Sequence, residues 1–262
     1  MDIAPYLPDR FDSAIDHYVA HRLRYAPELL SWMLRETGTG AGATVLDLGC
    51  GPGFIGNAVA GQVGRVIGVD PSAAMIAAAQ DEAPANATYL VGSSYDLSIV
   101  PGPVHLTTMG RSFHWMDRAA TLAALDGLTA PGGAVAILSD TVRETAANGW
   151  YRAANAVASE YSVIDACGRH RHSDAYARHE ERLLASAFSD LIEISVLRWH
   201  TWHFDSFMGY VLSRSGSTAE KLGDRLGTME AAMRDALDPF GPEPWRSLHA
   251  HTALIARRPG AG

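Results

Sequence analysis

Residues 45–56 read VLDLGCGPGFIG, an apolar run closed by an acid that breaks into four glycines. A β-branched stretch ending at Asp47 and followed by Gly49, Gly51, Gly53 and Gly56 describes a buried strand, a tight turn and the start of a helix. Gly51, Gly53 and Gly56 also spell a literal G-x-G-x-x-G, the fingerprint of a dinucleotide-binding turn. A turn of this kind belongs at the carboxyl end of a strand in an open α/β sheet, where ligands bind. Its glycines allow left-handed backbone and let a ligand approach closely.

The surrounding chain supports that architecture. TVLDLG (44–49), RVIGVD (65–70), ATYLVG (87–92), VHLTTMG (104–110) and AVAILS (134–139) are short, apolar and bounded by Gly or Pro, which predicts strands. Helix-like runs lie between them, with Ser72 and Asp117 placed as helix starts. LIEISVLRWHTW (191–202) and SLHAHTALIARR (247–258) predict two further strands. The fold expected is α/β, a doubly wound, mostly parallel seven-stranded sheet. Residues 1–38 are expected to form an N-terminal helical cap, with 11–36 helix-like. Residues 39–142 form a ligand-binding core, and 143–262 a late helical cap plus the last two strands of the same sheet. The segment around 167–180 predicts a loop.

Composition narrows the partners. The 262 residues are 47% hydrophobic and 19% charged, as in an ordinary soluble domain. A formal charge of −8 without a basic stripe argues against nucleic acid. No apolar stretch is long enough for a bilayer. The opening MDIAPYLPDRFDS lacks the basic start and apolar run of a secretory signal, so a cytoplasmic address is expected. Two cysteines, Cys50 and Cys167, do not make a disulfide framework. The expected partner is a small molecule; nothing in the sequence sets the oligomeric state.

Charge also selects the ligand of the glycine turn. A pyrophosphate wants N–H donors and positive potential, and Asp47 beside the turn repels it. An ammonium and a positive centre without phosphate, as in S-adenosylmethionine, suit that acid. Asp70, ending the second strand, can accept both hydroxyls of a ribose.

VLDLGCGPG followed by VIGVDPSAAMIAAA resembles motifs I and II of the class I S-adenosylmethionine-dependent methyltransferases. LVGSSYDL (90–97), TTMGRSFHWMD (107–117), LTAPGGAVAIL (128–138) and YVAHRLRYAPELLSWML (18–34) extend the resemblance, the F-H-W and the N-terminal tyrosine–arginine pattern being similar to a trans-aconitate methyltransferase-like small-molecule subgroup. The family-like ground runs from about residue 18 to 140. The chain departs from that pattern at Ser93 and His105, where the family often has acids, and at Ala26, where proline is usual. The resemblance implies S-adenosylmethionine as cofactor. Its contacts would come from Asp47, Gly49, Cys50, Gly51 and Gly53 of the first turn, and from Asp70, Pro71 and Met75 of the second. Ser93, Ser94 and Tyr95 would follow the third strand, and Met109, Gly110 and Phe113 the fourth. Tyr18, Arg22 and Tyr25, spaced i, i+4 and i+7, would share one helix face over the methionine end, with Arg22 meeting its carboxylate.

His114 and Trp115 follow the fourth strand, beside the methyl in this fold. A neutral histidine there can take a proton from a hydroxyl or amine nucleophile, whereas a carboxylate acceptor needs only orientation. Arg111 is either a substrate-anion contact or a solvated surface residue. His170, His172 and His179 lie near Cys167, Asp174 and Glu180, but their spacing matches no helix-face pair, and no metal is expected. His200 and Trp202 share a strand face and suit either a pocket wall or the core; Ser213, Arg214 and Ser215 are candidate substrate contacts. The expected function is methyl transfer to an O, N or C atom of a small acceptor, such as a carboxylic acid or specialised metabolite. Two alternatives stand beside it: a nicotinamide-dependent oxidoreductase, and a non-catalytic or repurposed cofactor-binding protein.

Overall fold

The computed structural model describes residues 11–164, 166–171, 173 and 176–260. Seven strands form one sheet: β1 (Thr44–Leu48), β2 (Arg65–Asp70), β3 (Ala87–Val91), β4 (Val104–Gly110), β5 (Thr129–Val142), β6 (Asp190–Trp202) and β7 (Trp245–Arg257). Their spatial order is β3-β2-β1-β4-β5-β7-β6. The first five run parallel, and β7 lies antiparallel between β5 and β6. β1 is central, paired to β2 on one side and β4 on the other, so the connectivity reverses there and a crevice opens at the strands' carboxyl ends. This is the Rossmann-like sheet expected from the strand–helix alternation.

Local chemistry sets the helices between strands. α3 (Phe54–Val59) starts directly after the glycine turn. α4 (Ala73–Asp81) is capped by Ser72, whose Oγ accepts from the Met75 N–H, and α5 (Arg118–Leu128) by Asp117, accepting from Ala120. Leu29, Leu30, Met33 and Leu34 of α2 (Pro27–Glu36) enter one core layer, with Val45, Leu106 and Ile255. Leu46, Ile67, Met109, Leu122 and Leu125 build the layer on the other face. No helix among the described residues is long and apolar enough to cross a membrane.

The structure corrects three expectations. The helical pattern over 11–36 is broken: α1 (Ile15–His21) ends where Arg22 turns extended (ψ 130°), and α2 begins at Pro27. Proline disfavours helical geometry in the residue before it, and Ala26 is extended (ψ 127°). β5 starts earlier than residue 134, because a register shift opposite Val104–Leu106 carries the Pro131–Gly133 stretch along the strand. Short helices α7 (Ala166–Arg171) and α8 (His179–Leu184) occupy ground expected to be loop. The sequence reading also passed over α6 (Gly149–Tyr161), whose Trp150, Tyr151, Ala154 and Ala158 join Phe207, Met208 and Val211 of α9 (Phe204–Leu212) and Met229 and Met233 of α11 (Leu226–Leu237) in a separate apolar cluster.

Under that cluster, β6 and β7 bring together three histidines, His249 and His251 buried and His200 half-buried. His200 Nε2 lies 3.0 Å from His251 Nε2, and Ser247 Oγ lies 2.7 Å from His249 Nε2 while accepting from Trp202 Nε1 at 2.8 Å. Burial, then the neighbouring histidines, lowers His200 and His249 to about 4. Burial alone is the main cause for His251, which is also lowered. An unfolded histidine takes its proton near pH 6.5, whereas these hold off until far lower. The stability they contribute is full above pH 6.5 and lost as pH falls toward 4. Asp47, raised to about 6 by burial, and Asp70, also raised by burial, act in the opposite sense but are two groups against three. Thermal melts between pH 7.5 and 4.5 are expected to show Tm falling through this window, and His249→Asn a shallower fall. A flat wild-type profile would contradict the arrangement.

Candidate functional site

The crevice is built on one carboxylate. Asp70 ends β2; its Oδ2 accepts the Gly51 N–H at 2.8 Å and its Oδ1 the Ser72 N–H at 3.0 Å. Two backbone donors fix its orientation, and each oxygen keeps a lone pair for a further donor. Burial raises the Asp70 pKa, those two hydrogen bonds oppose the shift, and nearby Asp12 adds to it. The glycine turn is tied to β2 through Gly49 and Cys50 N–H groups on Val69 O. Gly49 has φ +69°, and a Cβ there would stand 2.4 Å from the Ser112 Cβ, so side-chain bulk is excluded. Gly51 has φ +53°, and the only neighbour of a Cβ there would be Met75 Sδ at 3.9 Å. Its backbone faces open cleft.

The cleft encloses about 850 Å³ including its open mouth. Leu48, Val69, Pro71, Met75 and Met116 give it apolar walls, and Ser93, Ser94, Tyr95, Phe11, Tyr18 and Trp115 also line it. Ser72 Oγ donates to Asp12 Oδ1 at 2.6 Å, so the N-terminal segment is fastened across the rim. Asp47 does not line this cleft. It is buried behind the turn, accepting from the Gly56 N–H at 3.2 Å and from Thr108 Oγ1 at 2.8 Å. Burial pushes its pKa up to about 6 against those two bonds.

A second, larger cavity of about 1330 Å³ shares Phe11, Tyr18, Arg111, Ser112 and Trp115 with the cleft. His114, Phe113, Arg22, Asp140, Tyr210, Ser213, Arg214 and Ser215 also line it. Arg111 is no solvated arginine. It takes φ +57°, rare for a residue with a side chain, and its Nη1 donates to Asp140 Oδ1 at 2.9 Å and Leu23 O at 3.0 Å. Its guanidinium lies 4.8 Å from the Tyr25 ring centre. Burial works to raise Asp140, but Arg111 and the other nearby cations outweigh it and hold the carboxyl low.

The remaining candidates divide between wall and core. Tyr25 lies beyond the end of α1, buried, with its hydroxyl donating to Leu138 O at 3.1 Å. Tyr18, Tyr25, Asp47, Cys50, Gly110 and Arg111 surround a small cavity behind the turn. Cys50 is buried against Ile76, Ala79 and Tyr89, and Gly53 backs onto the Tyr89 ring. Met109 is wholly in the core. His200 and Trp202 join the buried histidine cluster. His172, Asp174 and the side chain of Cys167 lie outside the described residues, among which no metal-binding group occurs. Sequence reasoning missed Phe11, Asp12, Ser112 and Met116. Ser112, whose Oγ donates to Leu48 O at 2.8 Å, had a signal, being a small polar residue just past β4. Asp12 had none.

Residues 45–133 match the family described as "Methyltransferase domain". An uncharacterized methyltransferase of Schizosaccharomyces pombe is 27% identical over 129 residues, covering 49% of this chain and 51% of that protein. The chain spans about half the length of the curated relatives it matches. A putative type II methyltransferase from Anaeromyxobacter dehalogenans superposes with TM-score 0.64 at 24% identity, covering 90% of this chain and 97% of that one. A S-adenosylmethionine-dependent methyltransferase from Thiobacillus denitrificans, solved with S-adenosylhomocysteine, gives TM-score 0.54 at 16% identity over 96% and 99% of the two chains. The fold is therefore the Rossmann-like methyltransferase fold. Residues 45–133, within its core, are the part that is similar to the methyltransferase domain family.

Arg111 and Asp140 are a buried pair, and removing one partner leaves the other charge unpaired. Arg111→Met is expected to lower stability by about 3–5 kcal/mol, with the double variant Arg111→Met, Asp140→Leu recovering most of the loss. Urea unfolding decides. A loss under about 1 kcal/mol would show that the pair is solvated and return Arg111 to the role of a substrate contact.

Proposed function

We propose that the chain is an S-adenosylmethionine-dependent methyltransferase acting on an O, N or C atom of a small-molecule acceptor. The observation that carries this reading is the Asp70 carboxylate, fixed by two backbone N–H groups at the rim of a glycine turn, in a cleft that opens into a second cavity. The cleft fits the cofactor on its own terms. Asp70 retains acceptor capacity for ribose hydroxyls, Gly51 leaves its backbone open to a ligand, and Pro71, Met75 and Met116 offer apolar surface to a base. Asp47, behind the turn, disfavours a pyrophosphate and hence a nicotinamide cofactor, whereas Asp70 suits the ribose of either. The methyltransferase domain and the S-adenosylhomocysteine held by a protein of similar fold support the same choice.

When bound, S-adenosylmethionine supplies an activated methyl on a positive sulfur. The chain's own work is then alignment. Asp70 and the turn anchor the nucleoside, while Tyr18, Ser112 and Trp115, common to both cavities, border the passage between them. Phe11, edge-on to both Tyr18 and Trp115 with ring centres 5.9 and 6.0 Å away, packs beside the join. Holding two reactants in line is worth up to ~10⁵–10⁸ M in effective concentration. His114, on the wall of the acceptor cavity, takes the proton of a hydroxyl or amine nucleophile.

Calorimetry with S-adenosylhomocysteine tests the cofactor. Wild type is expected to bind it and to ignore NAD, and Asp70→Ala to lose about 1.5–3 kcal/mol per ribose bond, less than additively, while unfolding cooperatively. Preference for NAD, or an unchanged Kd in Asp70→Ala, would refute the reading. Once an acceptor is found, His114→Gln should lower turnover by ~10²–10⁴ with S-adenosylhomocysteine affinity kept. Equal rates would make His114 a packing residue. Cofactor binding without turnover on any acceptor would favour a repurposed binding protein.

A further inference from the structure

The acceptor cavity holds more positive charge than its buried carboxylate balances. Four guanidiniums line it; those of Arg22, Arg111 and Arg214 are half-buried, that of Arg171 is exposed, and Asp140 is taken by Arg111. Arg22 is stacked between two rings, 5.5 Å from the Tyr18 centre and 5.4 Å from that of Tyr210, and its buried Nε has no hydrogen-bond partner. Arg214 sits on the same tyrosine, 4.8 Å from the ring centre. Its Nη1 donates to Asn155 Oδ1 at 2.7 Å and its Nη2 to Tyr151 Oη at 3.3 Å, both neutral acceptors. Among the described residues neither Arg22 nor Arg214 has a carboxylate within ion-pair distance. Arg171, Glu180 and Glu193 also border the cavity, but they are exposed and screened by solvent.

A guanidinium withdrawn from water without a counter-charge is costly, so its retention marks a place made for an anion. The two arginines are not equivalent. Arg22 follows Tyr18, which walls both cavities, and the family resemblance already gives it the cofactor's carboxylate. Both arginines border only the larger cavity and lie against the same Tyr210 ring. Arg214 is the better fixed, by Asn155, Tyr151 and the ring beneath it.

We propose that Arg214 is a specificity-determining residue that binds a carboxylate on the acceptor, held on an apolar or aromatic body by Phe113, Trp115 and Tyr210. Asn155 and Tyr151 are its positioning residues. The Ser213 hydroxyl is already given to Tyr210 O at 2.6 Å, leaving the guanidinium as the main donor set, whose planar fork matches a carboxylate. The assignment of the anion to an acceptor rests on the methyltransferase reading; the anion site itself does not.

The test is binding of alkanoates from acetate to decanoate, with benzoate and phenylacetate, each beside its primary amide, by thermal shift and calorimetry. Each is measured with and without saturating S-adenosylhomocysteine. Wild type is expected to bind at least one acid tenfold or more tightly than its amide. Arg214→Gln should abolish that preference, and Arg214→Lys, which keeps the charge without the fork, should fall between. S-adenosylhomocysteine affinity should be equal in all three. Amides binding as well as acids, no acid binding at all, or a preference surviving in Arg214→Gln would each overturn the proposal. Acid preference in a protein that does not bind S-adenosylhomocysteine would instead overturn the methyltransferase reading and leave the anion site standing.

Discussion

The buried carboxylate of Asp47 joins three elements that the rest of the structure requires to be in register. It stands on central β1, holds the Gly56 N–H at the start of α3, and accepts the Thr108 hydroxyl from β4. Those bonds cross the point where strand order reverses, so the crevice keeps its shape only if they form. Withdrawing a carboxylate from water is costly unless hydrogen bonds replace the solvent, and here they do so only in part, leaving its pKa near 6. The acid is thus retained at an energetic cost, in the position that shapes the turn.

From that anchor the site is assembled in tiers. Asp47 sets the turn, Gly49 lets it press against Ser112, and Gly51 delivers its N–H to Asp70. Beyond Gly110 the chain enters left-handed backbone at Arg111, whose guanidinium reaches across to Asp140 on β5 and Leu23 behind α1. One charged side chain therefore ties the sheet to the N-terminal segment covering it. Phe11, Tyr18 and Trp115 then stand at the junction of two cavities, one apolar and sized for a nucleoside, the other rich in arginine and aromatic rings.

Much of this was legible in the sequence because it rests on short-range rules. Strands bounded by glycine, helix caps at Ser72 and Asp117, and an acid at the end of β2 each carry a local signature, and the structure has all of them. What was not legible depends on contacts distant in sequence. Asp47 reads as a ligand-facing acid until Thr108, 61 residues away, is seen to claim it. Arg111 reads equally as a substrate-anion contact or a solvated residue until β5 brings Asp140 to it. Tyr18, Arg22 and Tyr25 have helical spacing, but Pro27 dictates extended backbone just before it, so Tyr25 turns into the core while Tyr18 and Arg22 stay at the cavity. Asp12 and Ser72 meet across 60 residues, with no pattern to announce them.

The central claim is that the glycine turn and Asp70 hold the nucleoside of S-adenosylmethionine with its sulfur directed toward the arginine-rich cavity. A crystal structure of the protein with S-adenosylhomocysteine tests it most directly. Both ribose hydroxyls are expected within hydrogen-bond distance of the Asp70 carboxylate, the base against Pro71 and Met75, and the sulfur beside Trp115, facing His114 and Arg214. A ligand bound away from Asp70, or one whose sulfur is sealed off from the second cavity, would contradict it.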